Sequence, residues 1–338
     1  MKKVTIQDIA VEMGLSRNTV AKALNGGLVS PQTRQAVVQK AWQMGYTRLD
    51  EKLLEEVQSG SHPFHTGTIL ILSNHVQSQF WTRVLSGISN AINDEGYRMQ
   101  LHMAEPSDRD GEYVTKLIAE DVKGIIFLGV FPVRFVKGVS RAKLPMVFFN
   151  SPVNAQEYIK VGDIINLEGF YSMGSLTEYL IKKKACTRFA YVGFAEGSRM
   201  IQARYLGFLN SCTCNNISLD ERLHYTHPSN HKSFSGAMVE EVIRDMPYIP
   251  DAIVCEDDDV AKYAASSLLK RDPQAIRKVI ITGFNNTIES DFFKSDIITV
   301  DVRIEELGRR LIKSILDRIK CPTMEMTFTT IATHPKFL

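Results

Sequence analysis

The chain lacks the features of an exported or membrane-embedded protein. Its amino terminus has two lysines followed by polar and acidic residues, where a signal peptide needs about 7–15 apolar ones. No apolar run approaches the roughly 20 residues that span a bilayer. Cysteine is scarce and forms no C-x-x-C pair, which argues against disulfides and a zinc ribbon. These absences predict a reduced, cytoplasmic protein. The five cysteines are Cys186, Cys212, Cys214, Cys255 and Cys321.

Catalytic and cofactor motifs are also missing. The sequence has no G-x-S-x-G nucleophile elbow, and segment 193–199 has two glycines but none of the spacings that hold phosphates or dinucleotides. His224, His227 and His231 could be zinc ligands, but no carboxylate or cysteine completes the set, and the neighbouring Tyr225, Pro228 and Asn230 indicate a strand end that runs into a loop. The sequence therefore predicts neither an enzyme nor a bound metal or cofactor.

What the chain does have is an uneven distribution of charge. The net charge of +2 over 338 residues combines two unequal parts. Residues 1–48 contain seven basic and two acidic residues, a net charge of +5, which leaves −3 for the remainder. A short basic head on a mildly acidic body predicts that the head binds a polyanion. At ~150 residues per domain, the length predicts two or three domains.

Three short helices are expected in the basic head. Thr5 is a candidate N-cap for a first helix that Gly14 ends, and Ser16 is a candidate N-cap for the second. After a loop, Ser30 would cap a third helix with Pro31 at its first position, where the missing N–H costs nothing. The very short connection between the first two helices is typical of a helix-turn-helix.

The second helix of the head carries side chains suited to reading bases. If Val20 and Leu24 face inward, Arg17, Asn18 and Lys22 lie on the opposite face. Arg and Lys pair with guanine in the major groove and Asn pairs with adenine, so these three residues are candidate base readers. The alternative is an ordinary three-helix bundle with a solvated charged face. Hydroxyls, an amide and helix-start N–H groups suited to phosphate oxygens are offered by Thr5, Ser16, Thr19, Asn25, Ser30 and Thr33.

Beyond residue 67, apolar runs alternate with amphipathic stretches. Runs such as 125–129 and 252–255 predict strands, and stretches such as 80–93 and 171–183 predict helices. This alternation is typical of parallel sheets covered on both faces, and the number of elements favours two subdomains over one. The predicted fold is an all-α helix-turn-helix head joined to an α/β body of two doubly wound parallel-sheet subdomains.

The head resembles a known DNA-binding domain. The segment TIQDIAVEMGLSRNTVAKALNGG and the residues that follow it to position 46 closely resemble the amino-terminal domain of the lactose-repressor (LacI/GalR) family of transcriptional regulators. By that resemblance, Arg17, Asn18 and Lys22 fall on the family's base-reading positions. Ala21 and Lys22 stand where Ser and Arg are commoner, which should alter the operator that is read without abolishing reading.

The body resembles the effector domain of the same family. From residue 67 to about 330, the order of elements is similar to that of its periplasmic-binding-protein-like domain, in which the ligand lies in a cleft where strand ends of two lobes face each other. The resemblance implies a DNA-binding domain at 1–48, a hinge or linker at 49–66 and an effector-binding and dimerisation domain at 67–338. The lobes are expected at 67–157 plus 286–318, and at 158–285 plus 319–338.

The linker departs from the family pattern. In the family this segment forms a basic hinge helix that wedges a leucine into the minor groove. Here the segment beyond Arg48 is net acidic, which repels phosphate, although Leu53 and Leu54 could still lie on one helical stripe. Two alternatives remain: a minor-groove wedge, or a short helix that pairs with its dimer mate or packs on the body.

Local motifs in the body point to candidate effector-binding residues. RYLGF matches the family's Arg-x-x-Gly-aromatic motif, whose arginine commonly binds effector oxygens, which implies Arg204. Asp257 stands at a pocket position usually occupied by Asn, and Asn285 stands where a sugar-binding Asp is usual. Phe80 and Trp81 fall where aromatic rings often line the pocket.

Each of these residues has a structural alternative. Arg204 could be a surface cation, and Asp257 could simply begin a helix, where the dipole favours acids. Asn285 could serve a turn, and one of the two aromatic residues is expected in the core. The motif around 163–166 does not align cleanly, so either Asp163 or Asn166 could face the ligand.

The resemblance implies a homodimeric transcription factor, by family habit a repressor. Two heads would read the half-sites of a near-palindromic operator, because a two-fold dimer calls for two-fold DNA. A small effector, expected to be a sugar or sugar derivative, would close the cleft and change operator affinity. The alternatives are a regulator that answers a protein or a phosphosugar, a solute-binding protein for transport, and an enzyme on the doubly wound fold.

Overall fold

The computed structural model describes residues 4–25, 27–44, 46, 67–74, 78–104, 111–228, 234–288 and 297–337. The predicted hinge residues Leu53 and Leu54, and with them His231, lie outside the described residues. Within the described ranges, no helix is both long enough and apolar enough to cross a membrane.

The head folds into the three predicted helices: α1 (Ile6–Met13), α2 (Arg17–Leu24) and α3 (Pro31–Gln43). Gly14 ends α1 with a φ of 64°, a left-handed conformation that glycine adopts without a steric penalty. The chain then turns at once into α2. The helices pack around a small apolar core made of Ile9, Ala10, Val20, Ala23, Val37 and Ala41.

A six-stranded, wholly parallel sheet forms the first lobe. The strand order is β11-β5-β4-β3-β1-β2, and the central strands are buried because helices cover both faces. The strands are β1 (Thr68–Ser73), β2 (Arg98–Met103), β3 (Val122–Leu128), β4 (Met146–Phe149), β5 (Asp163–Leu167) and β11 (Phe328–Ile331).

Two long helices of this lobe approach each other closely. A Cβ added to Gly308 would lie 2.3 Å from the carbonyl carbon of Gly87, so this crossing requires glycine. The helices that pack on the sheet are α4 (Gln79–Asp94), α5 (Glu112–Thr115), α6 (Val133–Ser140) and α11 (Ile304–Lys320).

A four-stranded parallel sheet, in the order β7-β6-β8-β9, forms the second lobe. Its strands are β6 (Phe189–Val192), β7 (His224–Tyr225), β8 (Ala252–Cys255) and β9 (Ile280–Thr282). Its helices are α7 (Phe170–Lys184), α8 (Arg199–Cys214), α9 (Gly236–Asp245) and α10 (Asp258–Arg271), with 3-10 turns at Glu221–Leu223 and Ala275–Arg277. A short antiparallel ribbon pairs β10 (Val300–Asp301) with β12 (His334–Pro335). The predicted head and two-sheet body are confirmed.

The predicted boundaries between the lobes need correction. They assigned residues 158–285 and 319–338 to the second lobe, yet β5 and β11 hydrogen-bond within the sheet of the first. Strand β5 pairs with β4, and β11 then adds to β5 as the edge strand. Neither segment has a strong sequence signal, because β5 begins with a charged residue and three of the four residues of β11 are exposed.

The carboxyl ends of the parallel strands bring two helix starts together. Ser78, just before α4, donates a hydrogen bond of 2.9 Å to the carboxylate of Asp259 in α10. One residue further on, the Lys262 ammonium lies 3.4 Å from the side-chain oxygen of Gln79. These contacts join the first lobe to the second at the edge where ligands bind in open α/β sheets.

Candidate DNA-binding head and interlobe site

The second helix of the head presents its polar residues to solvent. Val20 and Ala23 are buried against the other helices, whereas Arg17, Asn18 and Lys22 are exposed. These three side chains form no hydrogen bond or ion pair with another described residue. The placement is the one that the helical periodicity predicts, and it leaves three donors available to an external acceptor.

The predicted caps of the head are present, and they occupy several of the candidate phosphate-contacting groups. Thr5 caps α1 and exchanges hydrogen bonds with Asp8, a capping box. The Ser16 hydroxyl accepts from the Thr19 N–H at 3.0 Å. The Ser30 hydroxyl accepts from the Thr33 N–H at 3.1 Å. Asn25 lies exposed at the end of α2.

Two basic residues of the head serve its internal structure. Arg34 on α3 is only 6% exposed and donates to the carbonyl of Gly27, so it ties α3 to the loop after α2. Lys40 pairs with Glu12 of α1 at 3.0 Å. Sequence reasoning counted Arg34 with the polyanion-binding charge, and only its burial reveals its structural role. The exposed positive charge of α2 therefore comes from Arg17 and Lys22.

Arg204 lies in the second lobe at the carboxyl edge of the sheet. It projects from α8, is 4% exposed, and donates from Nη1 to the main-chain oxygen of Glu256 at 2.7 Å. Its guanidinium carbon lies 3.8 Å from the ring centroid of Phe284, which follows β9. Burial lowers the pKa of Arg204, although the nearby Asp257 carboxylate opposes this shift. The surface-cation alternative is therefore wrong.

Four consecutive acidic residues follow β8, and their roles differ. Asp257 is half-buried and caps α10 through the Val260 N–H at 2.9 Å. Asp258 is buried and accepts hydrogen bonds from the hydroxyls of Thr287 and Thr299 and from the Thr287 N–H. Burial raises the pKa of Asp258 to about 6. Asp257 thus begins a helix, as the structural alternative for this residue predicted. This helix begins at the carboxyl edge of the sheet.

Glu256 is the most unusual member of this acidic run. Its side chain is 4% exposed and accepts one hydrogen bond, 2.7 Å long, from the Phe194 N–H. Burial and the neighbouring Asp257 carboxylate raise the pKa of Glu256 to about 8. Sequence reasoning did not select this residue, because nothing before the fold indicates that a glutamate after β8 is enclosed.

Three asparagines at the carboxyl edge, including Asn74 directly after β1, have side-chain oxygens without partners among the described residues. Asn285 follows Phe284, is 6% exposed, and adopts a φ of 105°. Asn166 lies in the last part of β5 and donates weakly to Ser151 at 3.4 Å. A buried polar atom without a partner costs about 1–3 kcal/mol, so each of these oxygens is a candidate contact for a bound water or a ligand.

Phe80 and Trp81 lie at the start of α4, and both are buried. The sequence predicted one of them in the pocket and the other in the core, but their exposure does not distinguish them. Their ring centroids are 5.1 Å apart, and both pack near Phe149 at the carboxyl end of β4. The aromatic cluster therefore supports the carboxyl edge of the first sheet.

Asp163 is not a ligand-facing residue. It begins β5, at the amino end of the strand, and forms a buried two-bond ion pair with Arg318, both bonds measuring 2.8 Å. Thr327 donates two further hydrogen bonds to it. Burial opposes ionisation, but these partners still lower the pKa of Asp163. The residue holds β5, α11 and the segment before β11 together, whereas Asn166 lies toward the opposite edge.

No group of His, Cys, Asp and Glu side chains among the described residues has the arrangement of a metal site. His224 is half-buried and contacts the Tyr205 hydroxyl at 3.3 Å, and burial lowers its pKa. His227 is exposed and lies 3.7 Å from Glu196. These two histidines thus have separate surroundings.

Comparison with known proteins agrees with this architecture. A family model for a periplasmic binding protein-like domain matches residues 177–335. Among curated proteins, catabolite control protein A of Staphylococcus epidermidis is 24% identical over 90% of this chain and 89% of its own length. The transcriptional repressor CytR of Escherichia coli is 23% identical over 94% of this chain and 90% of its own length.

Solved structures show the same fold. A transcriptional regulator CelR in complex with cellobiose superposes with a TM-score of 0.69 at 19% identity, covering 99% of each chain. The lac repressor dimer bound to operator and an anti-inducer gives a TM-score of 0.66 at 17% identity, covering 99% of this chain and 98% of that one.

The head and the two-lobed body define a DNA-binding transcriptional regulator with a periplasmic-binding-protein-like effector domain. The relatives carry the names of transcriptional regulators rather than enzymes. The chain is thus similar over at least 90% of its length to catabolite control protein A and to the repressor CytR, and it has the fold of the lac repressor, which agrees with the resemblance of its head to the lactose-repressor (LacI/GalR) family.

Proposed function

We propose that this protein is a homodimeric repressor whose operator affinity is controlled by a small, sugar-like effector bound between the two lobes. Each α2 would read one half-site of a near-palindromic operator through Arg17, Asn18 and Lys22. The hydroxyls and helix-start N–H groups of the head would position it on phosphates. The effector would be held by Arg204, Asp257 and Asn285.

The availability of the α2 side chains carries the DNA-binding part of this proposal. Folding uses Arg34 and Lys40 inside the head, yet it leaves Arg17, Asn18 and Lys22 exposed and without described protein partners. An arginine or lysine on the exposed face of a helix-turn-helix reaches the guanine edge, and an asparagine reaches adenine. The operator-bound lac repressor has the same fold.

Buried polar atoms without partners support the effector part. Arg204 Nε, Asn285 Oδ1 and Asn166 Oδ1 all lie near carboxyl strand ends. Hydroxyl groups both donate and accept hydrogen bonds, so a polyol satisfies all three kinds of atom. Related structures contain cellobiose, ribose and xylulofuranose, which makes carbohydrate the first class to test.

The contacts between the lobes provide a route from the effector to the head. Ser78 bonds Asp259 across the cleft, and Arg83 of α4 donates to the main-chain oxygen of Asn286 at 3.2 Å. A ligand that prefers one spacing of the lobes would shift this equilibrium and, through the dimer, the spacing of the two heads.

The operator part is tested by selecting bound sequences from random duplex DNA with the full chain. Arg17→Ala should reduce discrimination between the best operator and its single-base variants by about 10–100-fold, because a bidentate base contact contributes about 1–3 kcal/mol. Arg277→Ala, which removes an exposed arginine from the body, is the charge-matched control. Unchanged sequence preference for Arg17→Ala would exclude that residue from base reading.

The effector part is tested by thermal-shift screening of the full chain against sugars and sugar phosphates, followed by operator-binding assays with each positive compound. A ligand that binds the folded state raises its melting temperature by mass action. Arg204→Ala should abolish the change in operator affinity while leaving ligand-free DNA binding intact. An unaltered response in this variant would refute the assigned cleft.

A further inference from the structure

The acidic run after β8 has more negative charge than its protein surroundings neutralise. Asp258 is satisfied by two threonines, and Asp259 lies 3.3 Å from the Lys262 ammonium and accepts from Ser78. Glu256 and Asp257 form no ion pair with any described residue. Their neutralisation therefore depends on protons or on an external cation.

Arg204 is near these two carboxylates, but its geometry does not pair it with either. Its Nη1 donates to the main-chain oxygen of Glu256, and its guanidinium stacks on Phe284. The charged and titratable neighbours on the surrounding elements are Arg204 on α8, Tyr191 on β6, Cys255 on β8, and Asp258 and Asp259 on α10. Two cations, Arg204 and the Lys262 that pairs with Asp259, face the four acids, so this corner of the cleft is net negative when all four carboxylates are ionised.

Two further groups indicate that a ligand belongs here. Arg204 is 4% exposed, yet its Nε has no partner among the described residues. Asn285, 6% exposed, follows the Phe284 ring that Arg204 covers, and its Oδ1 also has no described partner. The arginine needs an acceptor, whereas the asparagine oxygen and the two carboxylates need donors. A ligand that satisfies them carries oxygen acceptors together with a strong donor.

We propose that the effector is an amine-bearing polyol, such as an amino sugar, with its ammonium group bound by Glu256 and Asp257 and a hydroxyl oxygen bound by Arg204. This inference rests on the proposed effector cleft and specifies the ligand class for it. An ammonium group forms charge-assisted hydrogen bonds with the ionised carboxylates, whereas a neutral sugar forms only ordinary hydrogen bonds with them.

The test compares matched sugars on the full chain by calorimetry at pH 7. Each set contains a parent hexose, its 2-amino derivative and the N-acetylated amine, for the gluco, galacto and manno configurations. The N-acetyl compound keeps the nitrogen and adds bulk but removes the charge. In at least one configuration, the amine should bind at least tenfold more tightly than both neutral members. Equal or tighter binding of the neutral sugars, or no binding by any amine, would overturn the proposal.

Two substitutions sharpen this test. Glu256→Gln keeps an acceptor for the Phe194 N–H, and Asp257→Asn keeps a capping oxygen for α10. Either change should reduce the amine preference, which is the ratio of amine affinity to parent-sugar affinity, at least tenfold. Glu240→Gln, at an exposed surface ion pair, is the control. Retained amine preference in both folded variants would contradict the assignment, and if neither variant folds, the wild-type series decides.

Failure of this inference is distinguishable from failure of the proposed function. If a neutral sugar alters operator affinity and the amines do not, the effector cleft stands while the amine assignment fails. If an amine binds with the expected preference but operator affinity does not respond, the ligand class stands while the regulatory role fails.

Discussion

Buried carboxylates occur at opposite edges of the two sheets, and they differ in their hydrogen-bond partners and in the direction of their pKa shifts. At the amino end of β5, Asp163 receives two hydrogen bonds from Arg318 and two from Thr327, which lower its pKa. At the carboxyl end of β8, Glu256 receives one hydrogen bond, and burial raises its pKa. The first carboxylate is part of the framework, and the second remains available to a ligand.

In a doubly wound body, a buried carboxylate that stabilises the framework differs from one that belongs to a candidate ligand site. Asp163 and Glu256 both carry a carboxylate and both are buried, so neither property distinguishes them. The number of hydrogen-bond partners and the position along the strand do distinguish them, because parallel sheets bind ligands at the carboxyl ends of their strands. Polar groups without partners there lower the stability of the ligand-free protein, and ligand binding recovers it.

The largest effect is expected from breaking the framework pair. Arg318→Ala leaves Asp163 buried without its cation, and we expect the free energy of unfolding to fall by about 3–5 kcal/mol in denaturant titrations. Arg310→Ala removes an arginine from an exposed pair with Glu306 and should cost less than about 1 kcal/mol. Similar losses in the two variants would mean that the buried pair stabilises nothing extra.

The two carboxylates should also give opposite pH dependence. Folding raises the pKa of Glu256 from 4.5 to about 8, so its contribution to stability is present below about pH 4.5 and is lost as pH rises to about 8. Glu256→Gln should remove this decline, which is at most about 1.4 kcal/mol per pH unit. Asp163, with its lowered pKa, stabilises above about pH 4 and loses this effect in acid.

Denaturant titrations at pH 5, 6, 7 and 8 measure this difference between wild type and Glu256→Gln. The variant should gain stability relative to wild type as pH rises. A difference that stays constant across the series would show that Glu256 does not titrate in this range. Glu240→Gln, which changes an exposed glutamate on α9, is the control substitution.

The smallest effect is expected at Asp257, which is half-buried and caps a helix. Asp257→Asn keeps the capping oxygen and removes a charge from the acidic run, so we expect a stability change of about 0.5 kcal/mol or less. Asp257→Ala removes the cap and should cost about 1 kcal/mol. Thermal melts of both variants measure this, and a larger loss for Asn than for Ala would rule out the capping role.

Much of the fold was predictable because its signals are local. Thr5, Ser16 and Ser30 cap the three helices of the head as predicted, since a cap depends on residues within one turn. Continuous apolar runs correctly identified the buried strands, for example β3 and β8. The strands β5 and β11 were not predicted, because β5 starts with a charged residue and β11 is a largely exposed edge strand.

The positions of the candidate site residues were easier to predict from the sequence than the interactions of their side chains. Arg204 lies at the carboxyl edge of the second sheet, and its predicted role in effector binding stays a prediction. Asp163 was wrong because its partner Arg318 is 155 positions away along the chain. No local pattern reveals such a pair. Likewise, the burial of Arg34 and Glu256 depends on loops and strands that are brought to them by folding.

Helix periodicity, capping residues and the distribution of charge are properties of neighbouring residues, and they were sufficient to define a basic helix-turn-helix head on an acidic α/β body. Which charges are paired depends on distances between segments remote in the chain, and only the tertiary structure decides it. The fold uses Arg318 to neutralise Asp163, whereas Glu256 and Asp257 form no ion pair within the described part of the chain. That difference separates the framework of this regulator from its candidate effector site.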